Sequence, residues 1–381
     1  MKIILTGGGT GGHTTPGIAL AQRIEQEGSQ ALFLVSTREV DVHLMQRYGF
    51  KAVHLATTSF TRNPATWPQF LVDGVKVFQR ARRAIDDFGP DAVVGLGGYV
   101  SFFPLLAARL RRLPIVLLEQ NVIPGKVTRR MAPLAAEVCC QWQETMRFLS
   151  VKVHARVTGN PVRTEVLAAT RDAAFEQMQL DPGNKTLLVL GGSQAAHALN
   201  AMMIRSAAEL AREAPGLQVI HLAGKADCDQ VSAAYRQAGV TARVFDFLDD
   251  VTAYRAADVA LSRAGGSTIA ELTACGIPLI LVPYPFATDD HQRCNARSLA
   301  ESGAAVVLEQ SAFTPPILVG IIRKFLDDAG LAKRMHQASL DRGRPGAAAD
   351  IVAKLRTFVR PNATNITVHD LRPEPVGKEQ P

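Results

Sequence analysis

The first half of the chain alternates short apolar runs with longer segments of helical periodicity. The apolar runs are rich in leucine and β-branched residues, which is typical of buried strands. They lie at Lys2–Thr6, Ala31–Ser36, Ala52–Leu55, Asp91–Gly95, Pro114–Leu118 and Ala136–Cys139. Helical segments separate them, as at Pro16–Glu27 and Gln69–Phe88. This alternation predicts a parallel sheet covered by helices on both faces.

The pattern restarts in the second half. Further apolar runs lie at Thr186–Leu190, Gln218–Leu222, Ala242–Phe245, Val259–Leu261, Pro278–Val282 and Ala305–Leu308. Each half opens with a strand that a glycine turn follows at once, at residues 7–12 and 191–194. We therefore expect an α/β protein of two doubly wound, Rossmann-like domains that face each other across a cleft. Ligands of such domains bind at the carboxyl ends of the strands.

Segments with proline and glycine mark the predicted domain boundaries. The first crossing between domains falls near Thr158–Pro161 and the second near Gly343–Gly346. We predict a first domain of residues 1–161, a second of residues 162–345 and a helix, residues 346–360, that returns to the first domain. Residues 361–381 combine prolines, charges and little apolar periodicity, which indicates a disordered tail.

Composition and charge narrow the class of protein. The 381 residues are 47% hydrophobic and 20% charged, which indicates an ordinary soluble protein. A net charge of +7 suits an anionic substrate or membrane surface, and no lysine- or arginine-rich arm points to nucleic acid. Five cysteines without a CxxC pair indicate a reduced cytosolic protein. Glycines and Pro104 interrupt the longest uncharged run, so no transmembrane helix is predicted.

The first glycine turn offers a candidate titratable group. Residues 7–12 fit the dinucleotide pattern GxGxxG, but the acidic residue expected at the end of the second strand is missing. Residues 35–38 stand there, and Glu39 and Asp41 come late. A nicotinamide-dependent dehydrogenase is therefore disfavoured. His13, where the loop enters its helix, is able to titrate near neutral pH.

The second half contains another glycine turn, Arg263–Thr268, followed by a helical segment that ends near Cys275. Amide groups at a helix N-terminus bind phosphates, so this turn is suited to hold a diphosphate without a metal. Glu271 would lie about one turn into the helix. There it would either face ribose hydroxyls or interact with the helix dipole.

Two other polar segments raise the question of a metal. Residues 283–296 combine prolines, an aspartate pair and His291, but no spacing resembles a defined metal site. Asp227 and Asp229 form a DxD pair, the kind that holds a divalent ion under a sugar nucleotide, and we interpret it as solvated surface. No metal site is predicted.

Seven motifs occur in order along the chain. They are Gly8–Gly17, Gly97–Ser101, Glu119–Asn121, Gly159–Arg163, Gly191–Gln194, Arg263–Glu271 and Asp290–Ala296. In this combination the sequence resembles the MurG family, the lipid I N-acetylglucosaminyltransferases of bacterial peptidoglycan synthesis. The resemblance runs from about Lys2 to Val359. Three positions depart from the family pattern: Leu118 replaces a histidine, Ala195 a glycine and Gly266 an alanine.

The resemblance implies a GT-B fold and an inverting, metal-independent glycosyltransferase without a cofactor. It would move GlcNAc from UDP-GlcNAc to lipid I, giving lipid II. The implied catalytic residues are His13, as the base, and Tyr99, near the acceptor. The implied donor contacts are Thr10, Gly11, Gly12, Asn121, Arg163, Ser193, Leu248, Gly266, Ser267, Thr268, Ile269, Ala270, Glu271 and Gln292. In that set Leu248 would meet uracil through its backbone, Gly266–Glu271 the diphosphate and ribose, and Gln292 the sugar hydroxyls.

A lipid-linked acceptor further implies a peripheral protein on the cytoplasmic face of the inner membrane. Partners among the proteins of cell-wall synthesis and cell division follow from the same resemblance. An apolar patch rimmed by cations would meet an anionic membrane surface. Its apolar members are Trp67, Phe70, Leu71, Val75 and Phe78, and its cations are Lys76, Arg80, Arg82 and Arg83. The same apolar positions would equally well pack on the sheet.

Three other functions stay open at this point. A related transferase with another lipid acceptor would share the donor loops, and acceptor assays would separate the two. A UDP-sugar epimerase would convert UDP-GlcNAc with no acceptor present. A non-enzymatic nucleotide-binding module is disfavoured because His13, Tyr99 and Glu271 accompany both glycine loops.

Overall fold

A computed structural model of the chain describes residues 1–56, 67–191, 196–247 and 251–359. Two of the implied donor residues, Ser193 and Leu248, lie outside the described residues, as does the predicted tail. The described chain forms two parallel sheets, one from each half, as the alternating pattern predicts.

The first sheet has seven strands. They are β1 Lys2–Gly7, β2 Gln30–Ser36, β3 Ala52–Leu55, β4 Ala92–Gly97, β5 Ile115–Glu119, β6 Glu137–Cys140 and β7 Ala155–Val157. Their order across the sheet is β3-β2-β1-β4-β5-β6-β7. The order reverses between β1 and β4, so the ends of these two strands form the crevice in which doubly wound sheets bind ligands.

The second sheet has six strands. They are β8 Thr186–Leu190, β9 Gln218–Leu222, β10 Thr241–Phe245, β11 Val259–Ser262, β12 Leu279–Leu281 and β13 Ala305–Val307. Their order is β10-β9-β8-β11-β12-β13, which reverses between β8 and β11. Each sheet therefore has one crevice at its carboxyl edge.

Helices cover the faces of both sheets. They are α1 Gly11–Gln26, α2 Glu39–Tyr48, α3 Trp67–Phe88, α4 Phe102–Leu110, α5 Lys126–Met131, α6 Thr164–Ala168, α7 Arg171–Met178, α8 Ala196–Glu213, α9 Cys228–Ala238, α10 Gly266–Ala274, α11 His291–Glu301, α12 Pro315–Asp327, α13 Ala329–Arg342 and α14 Ala347–Arg356. Short 3₁₀ turns include Tyr99–Ser101 after β4 and Thr288–Asp290 before α11.

Apolar side chains fill both sides of each sheet. Successive side chains of a strand alternate in direction, so Ile3 of β1 joins one cluster with Ile18, and Ile4 joins the cluster on the other face. Ile351 and Leu355 of α14 belong to the cluster of Ile3, so the last helix packs on the first sheet. The residue numbers at which the domains divide stay a prediction.

Two elements differ from the sequence predictions. Helix α1 begins at Gly11 rather than Pro16, so His13 lies inside its first turn. The glycines hid this start, because glycine is a poor helix former. Strand β7 was not predicted, since it has three residues and an exposed Arg156 at its centre. Both sequence patterns are too weak to indicate a regular element.

Candidate active site

The carboxyl ends of the two sheets face each other and contact directly. The hydroxyl of Ser267, at the start of α10, donates to the carbonyl of Gly12 in α1 at 2.5 Å. Gln141, after β6, donates through Nε2 to the carbonyl of Gly266 at 3.1 Å. A Cβ on Gly266 would overlap the carbonyl oxygen of Gln120. The two glycine turns that the sequence singled out therefore meet where the two sheets face each other, and they form the two lips of the predicted cleft between the domains.

His13 is placed in this cleft by a second pair of glycines. Its ring lies over the turn that follows β4: a Cβ on Gly97 would come 2.9 Å from Nδ1, and a Cβ on Gly98 3.4 Å from Cδ2. Both glycines have positive φ, 95° and 78°, which side chains disfavour. Residues without a side chain are therefore needed here for both conformation and space.

Several groups set the proton affinity of His13. Burial is the largest influence and lowers the pKa of the imidazole below its ordinary value, because the charged form loses solvation. His291, on the opposite lip in α11, lowers it further. The Leu96 carbonyl, the Gln120 side chain and the Asp41 carboxylate act in the opposite direction. The net result is a neutral imidazole at neutral pH, the form that accepts a proton.

The side chain of Arg263, the first residue of the second glycine turn, anchors this turn to other segments of the second half. Its guanidinium is buried and donates to the carbonyls of Val282, at 3.1 Å, and Pro283, at 3.3 Å. It also donates to Oε1 of Gln310 at 2.8 Å. Burial lowers the pKa of Arg263 to about 10, so it stays charged at neutral pH. These contacts fix the turn that leads into α10, whose first amides have no partner within the helix.

Arg163 and Glu271 form a bidentate ion pair beneath the start of α10. The Nε–Oε1 distance is 2.6 Å and the Nη2–Oε2 distance 2.8 Å. Both residues are buried, Arg163 at 8% exposure and Glu271 at 3%. Glu271 therefore has a specific partner beyond the helix dipole. Arg163 contacts the carboxylate that the resemblance assigns to the ribose.

Asparagine and glutamine side chains tie α11 to both lips. Asn295 donates through Nδ2 to Oδ1 of Asn121 and to the carbonyl of Ala264, both at 3.0 Å. Its Oδ1 accepts from the backbone N–H of Val122 at 2.9 Å. Gln292 accepts through Oε1 from the backbone of Ala264, at 3.2 Å, and from that of Tyr284, at 3.0 Å. With both lone pairs of that oxygen used, the NH₂ end of Gln292 is what it offers to a ligand.

The remaining implied residues that the structure describes follow β1, follow β4 or lie in α10. Thr10 precedes α1, and Gly11 and Gly12 open that helix. Tyr99 follows β4 and is 43% exposed. Thr268 lies in the first turn of α10, whereas the side chains of Ile269 and Ala270 are buried in the apolar cluster on one face of the second sheet. Only the backbone of these last two residues is therefore suited to contact a ligand.

One sequence interpretation is wrong for one of its two residues: Asp229 is exposed, as solvated surface should be, but Asp227 is not. Asp227 is buried, and its carboxylate accepts from Asn200 Nδ2 at 2.7 Å and contacts His197 Nδ1 at 3.0 Å. It is thus an internal hydrogen-bonding group rather than solvated surface. Within the described ranges no three or more His, Cys, Asp or Glu side chains cluster as a metal would require.

Sequence reasoning missed three buried polar groups at the cleft. Asn295 and Glu119 lie in recognised motifs, but no role was assigned to them. Glu119 accepts from the backbone N–H of Asn121 at 3.0 Å and of Gly125 at 2.9 Å, and burial raises its pKa. Asp41 also reaches the first glycine turn. The sequence signal for a role of Asp41 is its position shortly after β2, because doubly wound folds use an acidic residue there.

Family models match both halves of the chain. The N-terminal domain of glycosyltransferase family 28 matches residues 3–140, and the C-terminal domain of the same family matches residues 186–351. The family matches and the fold together therefore define a two-domain family 28 glycosyltransferase of the GT-B type.

Individual relatives narrow the family. A protein of Halothermothrix orenii named UDP-N-acetylglucosamine–N-acetylmuramyl-(pentapeptide) pyrophosphoryl-undecaprenol N-acetylglucosamine transferase is 35% identical over 363 residues. The match covers 92% of this chain and 97% of the relative. The crystal structure of Acinetobacter baumannii MurG is similar with a TM-score of 0.71 and 27% identity, over 93% of this chain and 99% of the other. The chain belongs to the MurG family, which confirms the resemblance and the predicted fold.

Another solved structure bears on an open alternative. A UDP-GlcNAc 2-epimerase of Neisseria meningitidis, solved with UDP-GlcNAc, has a TM-score of 0.66 over 94% of this chain and all of the other. Its sequence identity is 15%, so the likeness shows a shared fold and no more.

Proposed function

We propose that this chain transfers GlcNAc from UDP-GlcNAc to lipid I and so forms lipid II for peptidoglycan synthesis. The observation that carries the proposal is the contact of Ser267 with Gly12, which brings the start of α10 next to His13. A candidate diphosphate cradle and a candidate base thus share one cleft. The names of relatives matched along almost the whole chain supply the substrates.

His13 would act as the general base. An inverting transfer requires that the acceptor hydroxyl lose its proton while its oxygen attacks the anomeric carbon opposite UDP. Burial keeps the imidazole of His13 neutral, and it lies on the first-sheet lip of the cleft. We assign Tyr99, exposed beside it, to the acceptor side. The C–O bond to UDP breaks as the new glycosidic bond forms, and His13 takes the proton.

The second-sheet lip would bind the donor. The first amides of α10, at Gly266, Ser267 and Thr268, would stabilise the charge that develops on the leaving diphosphate, so the transfer needs no metal in this proposal. Glu271 would accept from ribose hydroxyls, and Gln292 would donate to sugar hydroxyls. The other donor residues implied by the resemblance belong to the same proposal, namely Thr10, Gly11, Gly12, Asn121, Arg163, Ser193, Leu248, Ile269 and Ala270.

A turnover assay tests the function. The protein is incubated with UDP-GlcNAc and EDTA, with and without a lipid I analogue, and UDP release is measured. We expect release only when the analogue is present. The variant His13→Ala should lower turnover about 10²- to 10⁴-fold, the usual contribution of a general base. His54→Ala, which removes a half-buried histidine of the same sheet, is the matched control.

Two results would contradict these assignments. Conversion of UDP-GlcNAc to its epimer without acceptor would make the protein an epimerase. Normal turnover of His13→Ala alongside normal turnover of His54→Ala would remove His13 as the base while leaving the transferase activity in place.

We further propose that α3 contacts an anionic membrane surface, as a peripheral protein on the cytoplasmic face would. Val72 and Val75 are 50% and 57% exposed, and cations are exposed around them: Lys76, Arg80, Arg82 and Arg83. Phe78 is partly buried and packs instead against the apolar cluster of Ile4 on one face of the first sheet, so it does not belong to this patch. The side chains of Trp67, Phe70 and Leu71 lie outside the described part. No helix in the described ranges is long and apolar enough to span a bilayer.

Charge reversal tests this surface. Each cation near an anionic bilayer contributes about 1 kcal/mol, so Lys76→Glu/Arg80→Glu/Arg83→Glu should lose flotation with vesicles that contain phosphatidylglycerol. The matched control reverses three exposed cations of the second half, Lys324→Glu/Lys333→Glu/Arg334→Glu. Equal flotation of both triple variants would refute the assignment of α3.

A further inference from the structure

Asp41 is a fully buried carboxylate that reaches from α2 into the first glycine turn. Its Oδ2 accepts from the backbone N–H of Gly9 at 2.7 Å and from the hydroxyl of Ser36. Its Oδ1 accepts from the hydroxyl of Thr14 at 2.5 Å. Burying a carboxylate is costly unless donors replace its water, and these three donors do so.

The contacts of Asp41 differ from those of the acidic residue in dinucleotide-binding folds. In dinucleotide-binding folds an acidic residue after the second strand accepts from ribose hydroxyls. Here Asp41 occupies the corresponding region, but it is fully buried and accepts from two hydroxyls and one amide of the protein itself. The carboxylate is therefore an internal part of the site and is not available to a ligand.

The contacts of Asp41 hold the first glycine turn at two points, one within the turn and one just after it. Gly9 lies inside the turn, and Thr14 lies next to His13 in the first helical turn. Gly8 fits between Asp41 and the second pair of glycines: a Cβ on Gly8 would come 2.5 Å from Asp41 Oδ2, and one on Gly98 2.6 Å from the Gly8 carbonyl. The turn therefore has little freedom to move without moving His13.

We propose that Asp41 is a positioning residue whose carboxylate holds the first glycine turn in the shape that presents His13 to the cleft. The catalytic meaning of this proposal rests on the proposed role of His13 as the base. Its structural content, the link from Asp41 through Gly9 and Thr14 to His13, does not.

The groups around His13 make the proposal measurable. Burial lowers its pKa most, His291 lowers it too, and Asp41 raises it, as do the Leu96 carbonyl and the Gln120 side chain. If Asp41 holds the turn, its loss exposes the imidazole to water, and the His13 pKa rises toward its ordinary value. If Asp41 acted only as a nearby negative charge, its loss would lower that pKa instead.

The test variant is Asp41→Asn, which keeps the size of the side chain but replaces one acceptor oxygen by an NH₂ group. We expect kcat to fall about tenfold to a hundredfold, as a displaced catalytic group causes, with KM for UDP-GlcNAc little changed. The acidic limb of kcat/KM should move to higher pH, and the His13 pKa, measured by NMR on histidine-labelled protein, should rise in parallel.

Two controls accompany this variant. Asp91→Asn removes a carboxylate that accepts from the backbone N–H of Lys2 at the other end of the sheet, and it should leave the His13 pKa unchanged. Thr14→Val takes one donor from Asp41 and should change kcat and the His13 pKa in the same direction as Asp41→Asn. Thr14→Ser keeps a hydroxyl at this position, so kcat and the His13 pKa should both return to the values of the unaltered protein. The Thr14 variants therefore test the proposal even if Asp41→Asn fails to fold.

The outcomes separate the two proposals. A His13 pKa that is unchanged or lower in Asp41→Asn and unchanged in Thr14→Val would overturn the positioning role, whatever the turnover. Full turnover of His13→Ala would overturn the proposed base, while the NMR result would still decide whether Asp41 positions the turn.

Discussion

At the scale of single residues, the buried pair of Arg163 and Glu271 fixes the geometry of the proposed donor site. Its two short hydrogen bonds engage one lone pair on each carboxylate oxygen and hold the side chain of Glu271 in one orientation. A third contact, from Arg163 Nη1 to the hydroxyl of Tyr48 at 3.4 Å, links the pair to α2 of the first sheet. An ion pair of this kind fixes geometry more than it adds stability.

Removal of one partner of this pair should be costly. Arg163→Met leaves the Glu271 carboxylate buried without its cation, so we expect a loss of about 3–5 kcal/mol in the free energy of unfolding. The double variant Arg163→Met/Glu271→Leu removes both charges and should recover most of that loss. Urea unfolding followed by the fluorescence of buried Trp142 measures both. Equal destabilisation of the single and double variants would contradict the argument.

At the scale of elements, α1 shows what the sequence pattern does and does not predict. The glycine run predicts the strand, the turn and a following helix, but it suggests that the helix starts at Pro16. The structure starts it at Gly11. Pro16 has no backbone N–H, so it donates no helical hydrogen bond to the carbonyl of Gly12, four residues earlier. The hydroxyl of Ser267, in α10, donates to that carbonyl instead.

Another element-scale feature is a polar network between α8, β9 and α9. Asn200 donates through Nδ2 to the carbonyl of Ala223 and to Asp227, both at 2.7 Å. Its Oδ1 must therefore accept from Nε2 of His221, which lies 3.0 Å away. Nδ1 of His221 then accepts from the hydroxyl of Tyr235 at 2.9 Å. Burial lowers the pKa of His221 to about 3, so the imidazole in this network is neutral at neutral pH.

This network makes stability depend on pH. An unfolded histidine binds a proton as the pH falls through about 6.5, whereas folded His221 does so only near 3. The contribution of His221 is complete above pH 6.5 and declines below it, by about 1.4 kcal/mol per pH unit. His221→Gln should lack this part of the slope. Urea midpoints of both proteins between about pH 7 and pH 4.5 test it, and parallel curves would speak against it.

At the scale of the whole molecule, local patterns predict the sheets but not how they meet. Apolar runs separated by helical segments predict each sheet, because a strand that is buried on both faces consists mostly of apolar residues. The contact of the two lips depends on residues far apart in sequence, such as Asn295 with Val122 and Gln141 with Gly266. Polar residues in irregular segments carry no periodicity, so no pattern marks these pairs.

Gly266 should control how closely the lips approach. A Cβ there would overlap the carbonyl of Gln120, so Gly266→Ala should separate the two lips. The backbone N–H of Val122, bonded to Asn295 across the cleft, should then exchange with deuterium faster. Gly320→Ala, where a Cβ meets nothing within 4 Å, is the matched control. Unaltered exchange at Val122 in Gly266→Ala would count against this view.

The hydroxyl that joins the lips has a consequence for substrate affinity. Ser267 lies in the helical turn proposed to receive the diphosphate, so in this structure the Gly12 carbonyl occupies part of the space and one donor that UDP-GlcNAc would use. If the diphosphate binds as proposed, the Gly12 carbonyl would compete with the nucleotide sugar for the Ser267 hydroxyl. If the joined form outnumbers the separated form about tenfold, the apparent dissociation constant is about tenfold higher than the intrinsic one. The strength of one internal hydrogen bond would therefore set the concentration of nucleotide sugar at which the enzyme saturates.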